Sequence, residues 1–208
     1  MFWWHWLSVA GSLAVTGPIG VAIAVWLLAG KSWRLTWTWA LLFGGGMVLV
    51  VLTKLAFMGW AIGIESVEFA GFSGHAMRAA AVYPVAAFLA TRSLPPMAQM
   101  LGSTAGVLLS VLIAMSRIHT DAHSPSEAWT GCVLGLLVAA AFIWYANAER
   151  QMALSRVLVA LCLPVLLVAP RVQPIPAEMW IAKVATYLSG RDHPYTRAMW
   201  HTPKPQVR

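Results

Sequence analysis

Long apolar runs broken by short polar clusters set the pattern of this chain. A spanning helix needs about 20 mostly apolar residues, and residues 7–29 and 37–62 each supply one, the second carrying Lys54 near its end. Residues 63–74 predict a loop with Glu65 and Glu68, followed by a third helix over 75–90 with Arg78 one turn in and a kink at Pro84. Residues 92–96 turn the chain into a fourth helix over 97–115. The fifth opens at Pro125, with Ser124 as its N-cap, and continues to about Asn147. A sixth run, 157–170, contains Pro164 and crosses only if it starts near Gln151 and Arg156 snorkels to the interface. Residues 178–189 then place Trp180, Ile181, Val184 and Leu188 on one side, as an interfacial helix would. The pattern predicts an all-α, polytopic membrane bundle of about six transmembrane helices over residues 1–170, with an interfacial helix and polar tail over 171–208.

Composition sharpens this picture. The 208-residue chain is 60% hydrophobic and 10% charged, whereas soluble domains carry about a quarter of charged residues. Tryptophans cluster beside the apolar runs, at Trp3-Trp4-Trp6 and Trp33-Trp37-Trp39, where membrane-interface belts place them. The net charge of +7 therefore belongs to loops and tail facing lipid headgroups, and no basic soluble face is present for nucleic acid. Cys132 and Cys162 lie inside apolar runs and read as buried thiols. Neither a basic stretch nor a small-residue cleavage site marks a secretory signal, so the first run is expected to stay as the first helix.

Orientation follows from the basic residues in the short loops. Lys31, Arg34, Arg92, Arg150 and Arg156 fall in one set of alternate loops and only Arg117 in the other, which puts the first set in the cytoplasm of a bacterial cell and the second at the periplasmic face. The basic tail then lies either at the outer headgroups or, if the sixth run is re-entrant, back in the cytoplasm.

Two polar stretches stand out on the outer side. Residues 116–127 gather Arg117, His119, Asp121, His123 and Glu127 between two apolar runs, and Ser73-Gly74-His75 heads an earlier helix. Polar groups at the edge of hydrocarbon are costly unless paired or in use. Both stretches adjoin helix N-termini on one side of the bundle, so cations, free N–H groups and imidazoles can share a pocket suited to an oxyanion such as phosphate. Other readings are open at this point. Lys54 can snorkel from a helix end, His119 and Asp121 can be solvated loop residues, and Arg78 can pair with Glu65 or Glu68. Ser124-Pro125-Ser126-Glu127 is also a capping box, a role expected to coexist only partly with orienting His123. His119, His123 and Glu127 have the spacing of a metal cluster, against which Pro125 argues. An anion-binding or transport protein, with Arg78, Lys54 and Arg117 lining a path, is the non-enzymatic alternative.

The spacing Ser116-Arg117, five residues, His123, three residues, acid, preceded by Ser73-Gly74-His75, resembles the type 2 phosphatidic-acid phosphatase superfamily of membrane lipid phosphatases, over about residues 54–135. The resemblance implies a metal-independent hydrolase, without cofactor, acting on a lipid phosphate or diphosphate through a phosphohistidine; a lipid phosphotransferase of the same fold is the alternative. It implies that His123 attacks phosphorus, Glu127 orients it, and His75 protonates the leaving oxygen. Arg117, Ser73 and the Gly74 N–H would hold the phosphoryl oxygens, and Lys54 would match the lysine of the family's first motif. The sequence departs from the family twice, with Glu127 where aspartate is usual and Ala61-Ile62 where an Arg-Pro pair is usual. Arg78, one helical turn beyond His75, is on the face to replace the missing arginine.

Overall fold

The computed structural model describes residues 2–149 and 177–201. Seven α-helices are present among them: α1 (Phe2–Ala10), α2 (Leu13–Ala29), α3 (Trp33–Trp60), α4 (Gly74–Thr91), α5 (Pro96–His119), α6 (Pro125–Ala148) and α7 (Ala177–Ser189). No strand occurs among the described residues, only an isolated bridge between Ile64 and Phe69. The all-α membrane bundle predicted from the pattern is therefore the fold. Four segments are long and apolar enough to cross a membrane: Trp3–Ala29, Trp33–Trp60, Pro96–His119 and Pro125–Ala148. The 18-residue α4 runs among them. The expected sixth run, Cys162, Arg150, Arg156, the boundary at 170 and the last seven residues of the tail lie outside the described residues.

Helix α4 is the axis of the bundle. Its residues Ala76 to Val82 are all buried, as are Val85, Phe88 and Leu89. Lipid tails are as apolar as leucine, so burial alone gives helices in a bilayer little reason to associate; close packing through small residues does. Two such faces grip α4. On α6, a Cβ at Gly135 would lie 2.2 Å from the Met77 carbonyl oxygen, and one at Gly131 would lie 2.6 Å from that of Ser73. On α5, a Cβ at Gly106 would lie 2.7 Å from Pro84 Cα, and one turn on the Ser110 hydroxyl donates to the Ala79 carbonyl at 3.0 Å. Cys132 packs beside Gly131 against Ala76, Ala80 and Ala114, the buried thiol expected of it.

The first apolar run is not one straight helix. It breaks at Gly11-Ser12, where a Cβ on Gly11 would meet Ile113 Cγ2 at 2.6 Å. A break releases carbonyls that cannot stay bare in hydrocarbon. Tyr83 donates its hydroxyl to the Ala10 oxygen at 2.7 Å, and Arg78 Nη2 reaches the Gly11 oxygen at 3.5 Å.

The two ends of the bundle differ. At one end, Arg92 donates to the last carbonyls of α6, at Ala146 (2.9 Å) and Glu149 (3.0 Å), completing a helix C-terminus with a cation. Lys31 and Arg34 lie at this end, near Glu149. The other end holds the start of α4, the end of α5 and the start of α6. Helix α7 packs along the last turns of α3, where Gly59 admits it: a Cβ there would lie 3.3 Å from the Ala185 oxygen. Its Trp180, Tyr187 and Leu188 stay exposed. The described part of the tail folds back over the same end, with the Tyr195 N–H on the Met58 carbonyl at 2.8 Å and Trp200 against Phe57. This described part of the tail thus lies with the two polar stretches.

Candidate active site

Three local devices bring the polar stretches together. Helix α5 continues through Arg117 to His119, further than its apolar run suggests, and the Arg117 carbonyl accepts the N–H groups of Ala122 and His123, both at 3.2 Å. The chain then re-enters a helix at Pro125. Ser73 caps α4 by accepting the Ala76 N–H at 3.5 Å, and its own N–H donates to the Glu127 carbonyl at 3.1 Å, tying the head of α4 to the head of α6. Gly71 (φ +126°) lets the loop before α4 pass close to Lys54; a Cβ there would be 3.1 Å from the Lys54 nitrogen, a conformation and a distance that favour glycine.

The centre of the site is the pair His123–Glu127, both buried. His123 Nδ1 lies 2.8 Å from Glu127 Oε2. The same oxygen accepts the Ser124 N–H at 3.2 Å, the Ser124 hydroxyl accepts the Glu127 N–H at 3.3 Å, and Oε1 accepts the Ala70 N–H at 2.9 Å. The capping box and the imidazole contact therefore coexist fully, contrary to the expectation that one weakens the other, because one oxygen has lone pairs for both donors. A carboxylate on Nδ1 fixes the tautomer that carries its proton there and leaves Nε2 as a free base. Burial lowers the His123 pKa, and the hydrogen bond to Glu127 only partly offsets this, so the ring sits below its ordinary value of 6.5.

Nε2 faces a cavity of about 170 Å³ lined by Lys54, Glu127, Glu178, Tyr195 and Arg197. A second cavity, of about 130 Å³, holds His75, Gly74 and Arg78 among apolar side chains of α2, α3 and α7. Lys54 and Glu178 line both, so this ion pair is the partition between the two histidines. Lys54 is buried and hydrogen-bonded to Glu178 Oε1, and that oxygen is 3.9 Å from His123 Nε2. Burial works to raise the Glu178 pKa, but Lys54, then His123 and Arg117, outweigh it and hold the carboxyl below the ordinary range.

The remaining predicted residues fall as follows. Arg117 bonds Ser8 of α1 through Nη1, while its buried Nε has no hydrogen-bond partner among the described residues. Ser73 is fully buried at its cap. Arg78 lines the His75 cavity but bonds neither Glu65 nor Glu68; its Nε donates to Thr16 at 3.1 Å, so it also fastens the α1–α2 break. His119 stacks on Trp4 with ring centroids 4.1 Å apart and belongs to α5, separated from His123 by the turn that starts at Thr120. Ala61 ends α3 in the left-handed region and brings no cation to the site.

Two charged residues at the site were not foreseen. Glu178 was expected on a separate interfacial helix, and Arg197, whose Nη1 is 3.6 Å from Glu127 Oε2, in a polar tail. Both arrive from more than fifty residues downstream, and only Glu178, an acid opening an amphipathic helix, left any mark in the pattern.

The PAP2 superfamily model matches residues 62–151, which include both polar stretches. An uncharacterised 22.5 kDa protein in the cps region of Klebsiella pneumoniae is 29% identical over 204 residues, covering 95% of this chain and 97% of that one. Phosphatidylglycerophosphatase B of Bacillus subtilis (strain 168) is 36% identical over 78 residues, covering 36% of this chain and 38% of that one. No solved structure matches.

Proposed function

Because residues 62–151 match the PAP2 superfamily model, we propose that this multi-pass membrane protein is a metal-independent lipid phosphate or diphosphate phosphatase working through a phosphohistidine. The observation that carries the reading is a base aimed at a cationic cavity: His123, held through Nδ1 by Glu127, turns Nε2 toward a cavity edged by Lys54 and Arg197.

In the first step the Nε2 lone pair attacks phosphorus, the P–O bond to the lipid breaks, and His75 gives the leaving oxygen a proton. Glu127 stabilises the positive charge that develops on the imidazole. In the second step His75 takes a proton from water, which attacks phosphorus and returns the electron pair to Nε2. Lys54, Arg117 and Arg78 neutralise the phosphoryl oxygens and the Gly74 N–H donates to them; the Ser73 oxygen only accepts at the cap, so its O–H is left to donate as well. The apolar lining of the His75 cavity, with Leu13, Val50 and Ile181, supports a lipid leaving group. The basic residues at the opposite end support a site on the periplasmic side of a bacterial inner membrane.

The test is release of inorganic phosphate by purified protein in detergent with chelator present. Phosphatidylglycerophosphate is the first substrate to try, beside phosphatidate, undecaprenyl diphosphate and a lipid A phosphate. Turnover of at least one is expected. Loss of all turnover in chelator, or none on any of the four, would overturn the proposal.

A further inference from the structure

The cavity in front of His123 carries a second cation besides Lys54, and the donors of that cation are unspent. Arg197 lines the cavity together with His123, Lys54 and Glu127. Its Nη1 stands 3.6 Å from Glu127 Oε2, too far for a hydrogen bond. That carboxylate already accepts the Ala70 N–H at 2.9 Å, the Ser124 N–H at 3.2 Å and His123 Nδ1 at 2.8 Å. Among the described residues this long ion pair is the one polar contact of the Arg197 side chain. The backbone at Arg197 is fixed from both sides. Tyr195 donates its N–H to the Met58 carbonyl at 2.8 Å and meets the Phe57 ring edge-on, and Trp200 packs on the same ring with centroids 5.0 Å apart. A short 3₁₀ turn over Arg197–Trp200 joins the two anchors. A partly exposed ion pair contributes little to stability, so the aromatic anchors rather than the Glu127 contact hold this segment. The arginine is thus placed beside the nucleophile without being needed for the docking.

We propose that Arg197 is a phosphoryl-binding residue: one edge of its guanidinium faces Glu127 and the other holds a non-bridging oxygen of the phosphate that His123 attacks. This rests on the phosphoryl-site reading above and adds the C-terminal segment 195–201 to that site. The planar guanidinium presents N–H donors along more than one edge, so it can serve a phosphate oxygen and Glu127 together, with no hydrogen bond to a described residue to break first. Lys54, the other cation of the cavity, is already held by Glu178 and has to share or leave that partner before it meets an anion. With 32% of its side chain exposed, Arg197 has room to turn toward Nε2. Hydrogen bonds from arginine to phosphate are charge-assisted and among the strong ones.

The experiment measures inorganic phosphate as a competitive inhibitor of the full chain in detergent, beside kcat/KM on a lipid phosphate that the wild type turns over. The variants are Arg197→Ala, Arg197→Lys and, as a control, Lys183→Ala, which removes an exposed cation of α7 outside the cavity. In Arg197→Ala, phosphate inhibition should weaken about five- to thirtyfold and kcat/KM should fall by a similar factor, the low part of the range for a charge-assisted bond because the side chain is partly solvated. Arg197→Lys should recover part of both losses, since it keeps the charge without the fork, and Lys183→Ala should match the wild type. Arg197→Gln replaces the alanine variant if that fails to purify. Unchanged phosphate inhibition in Arg197→Ala overturns the inference, and a fall in kcat alone at that unchanged inhibition assigns the arginine to positioning Glu127 instead. An equal loss in Lys183→Ala overturns it in favour of a general surface field. A wild type that phosphate does not inhibit overturns the inference; one that also releases no phosphate from any lipid overturns the phosphoryl-site reading with it.

Discussion

Replacing Glu127 by glutamine tests whether the carboxylate organises the nucleophile or only caps α6. Three donors converge on its two oxygens: the Ala70 N–H on Oε1 at 2.9 Å, and His123 Nδ1 (2.8 Å) and the Ser124 N–H (3.2 Å) on Oε2. An amide offers one oxygen and an NH₂ group, so one side of this arrangement must fail. If the amide oxygen stays with His123, the Ala70 N–H faces another donor, which costs about 1–3 kcal/mol of stability. If the amide turns, Nδ1 becomes an acceptor, the proton moves to Nε2, and the lone pair that attacks phosphorus is lost. A charge-assisted hydrogen bond is worth about 1.5–3 kcal/mol, so kcat should fall by about 10- to 150-fold, with KM little changed because Lys54 and Arg117 remain. Ser124→Ala is the companion: it removes the hydroxyl cap, costs about 1 kcal/mol, and leaves the imidazole contact in place. Steady-state kinetics on a lipid phosphate in detergent, with thermal unfolding of the same preparations, separates the two. Wild-type kcat in Glu127→Gln, or an equal loss of turnover in Ser124→Ala, would refute the orienting role.

Further outcomes follow from the same geometry. Glu127→Asp should keep more turnover than Glu127→Ala, since it keeps a carboxylate for His123 but is too short to serve all three donors. Because the His123 pKa lies below 6.5, and Nε2 must be unprotonated to attack, log(kcat/KM) should rise with pH through an acid limb centred below 6.5 and fall again where His75, the proton donor, loses its proton; an acid limb centred above 6.5 contradicts the assignment. Gly135→Val, which sets a branched side chain against a carbonyl oxygen 2.2 Å from the new Cβ, should prevent a stable α4–α6 contact, read as loss of monodisperse protein on size exclusion. Arg78→Ala should lower kcat/KM by about 10- to 100-fold and lower thermal stability through the lost Thr16 contact; wild-type turnover with reduced stability would leave it only the fastening role.

What was readable in the sequence is what local spacing controls. Helices α3 to α6 follow from apolar length and from signals such as Ser124-Pro125, and their ends differ from expectation by a few residues. The contacts of His123 with Glu127 and of Ser73 with α6 join residues whose types and spacing were already visible. The break at Gly11-Ser12 was not, because glycine in an apolar run costs a helix only about 1 kcal/mol, and what stabilises the break is Tyr83 and Arg78, from another helix. The faces Gly102–Gly106 and Gly131–Gly135 have the small-residue spacing that brings membrane helices together, a signal that apolar length alone does not read. Glu178 and Arg197 were beyond reach for a different reason: they come to the site through the return of the chain over α3, and no local period encodes that return.

The central claim, a covalent phosphohistidine at His123, is tested most directly by trapping it. Wild-type protein turning over a ³²P-labelled lipid phosphate is quenched in alkali, and the label bound to protein is located by peptide mapping. An alkali-stable, acid-labile phosphoryl group on the peptide containing His123, absent from His123→Ala, is the predicted result. Phosphate release by His123→Ala at the wild-type rate, with no label on either protein, would contradict it.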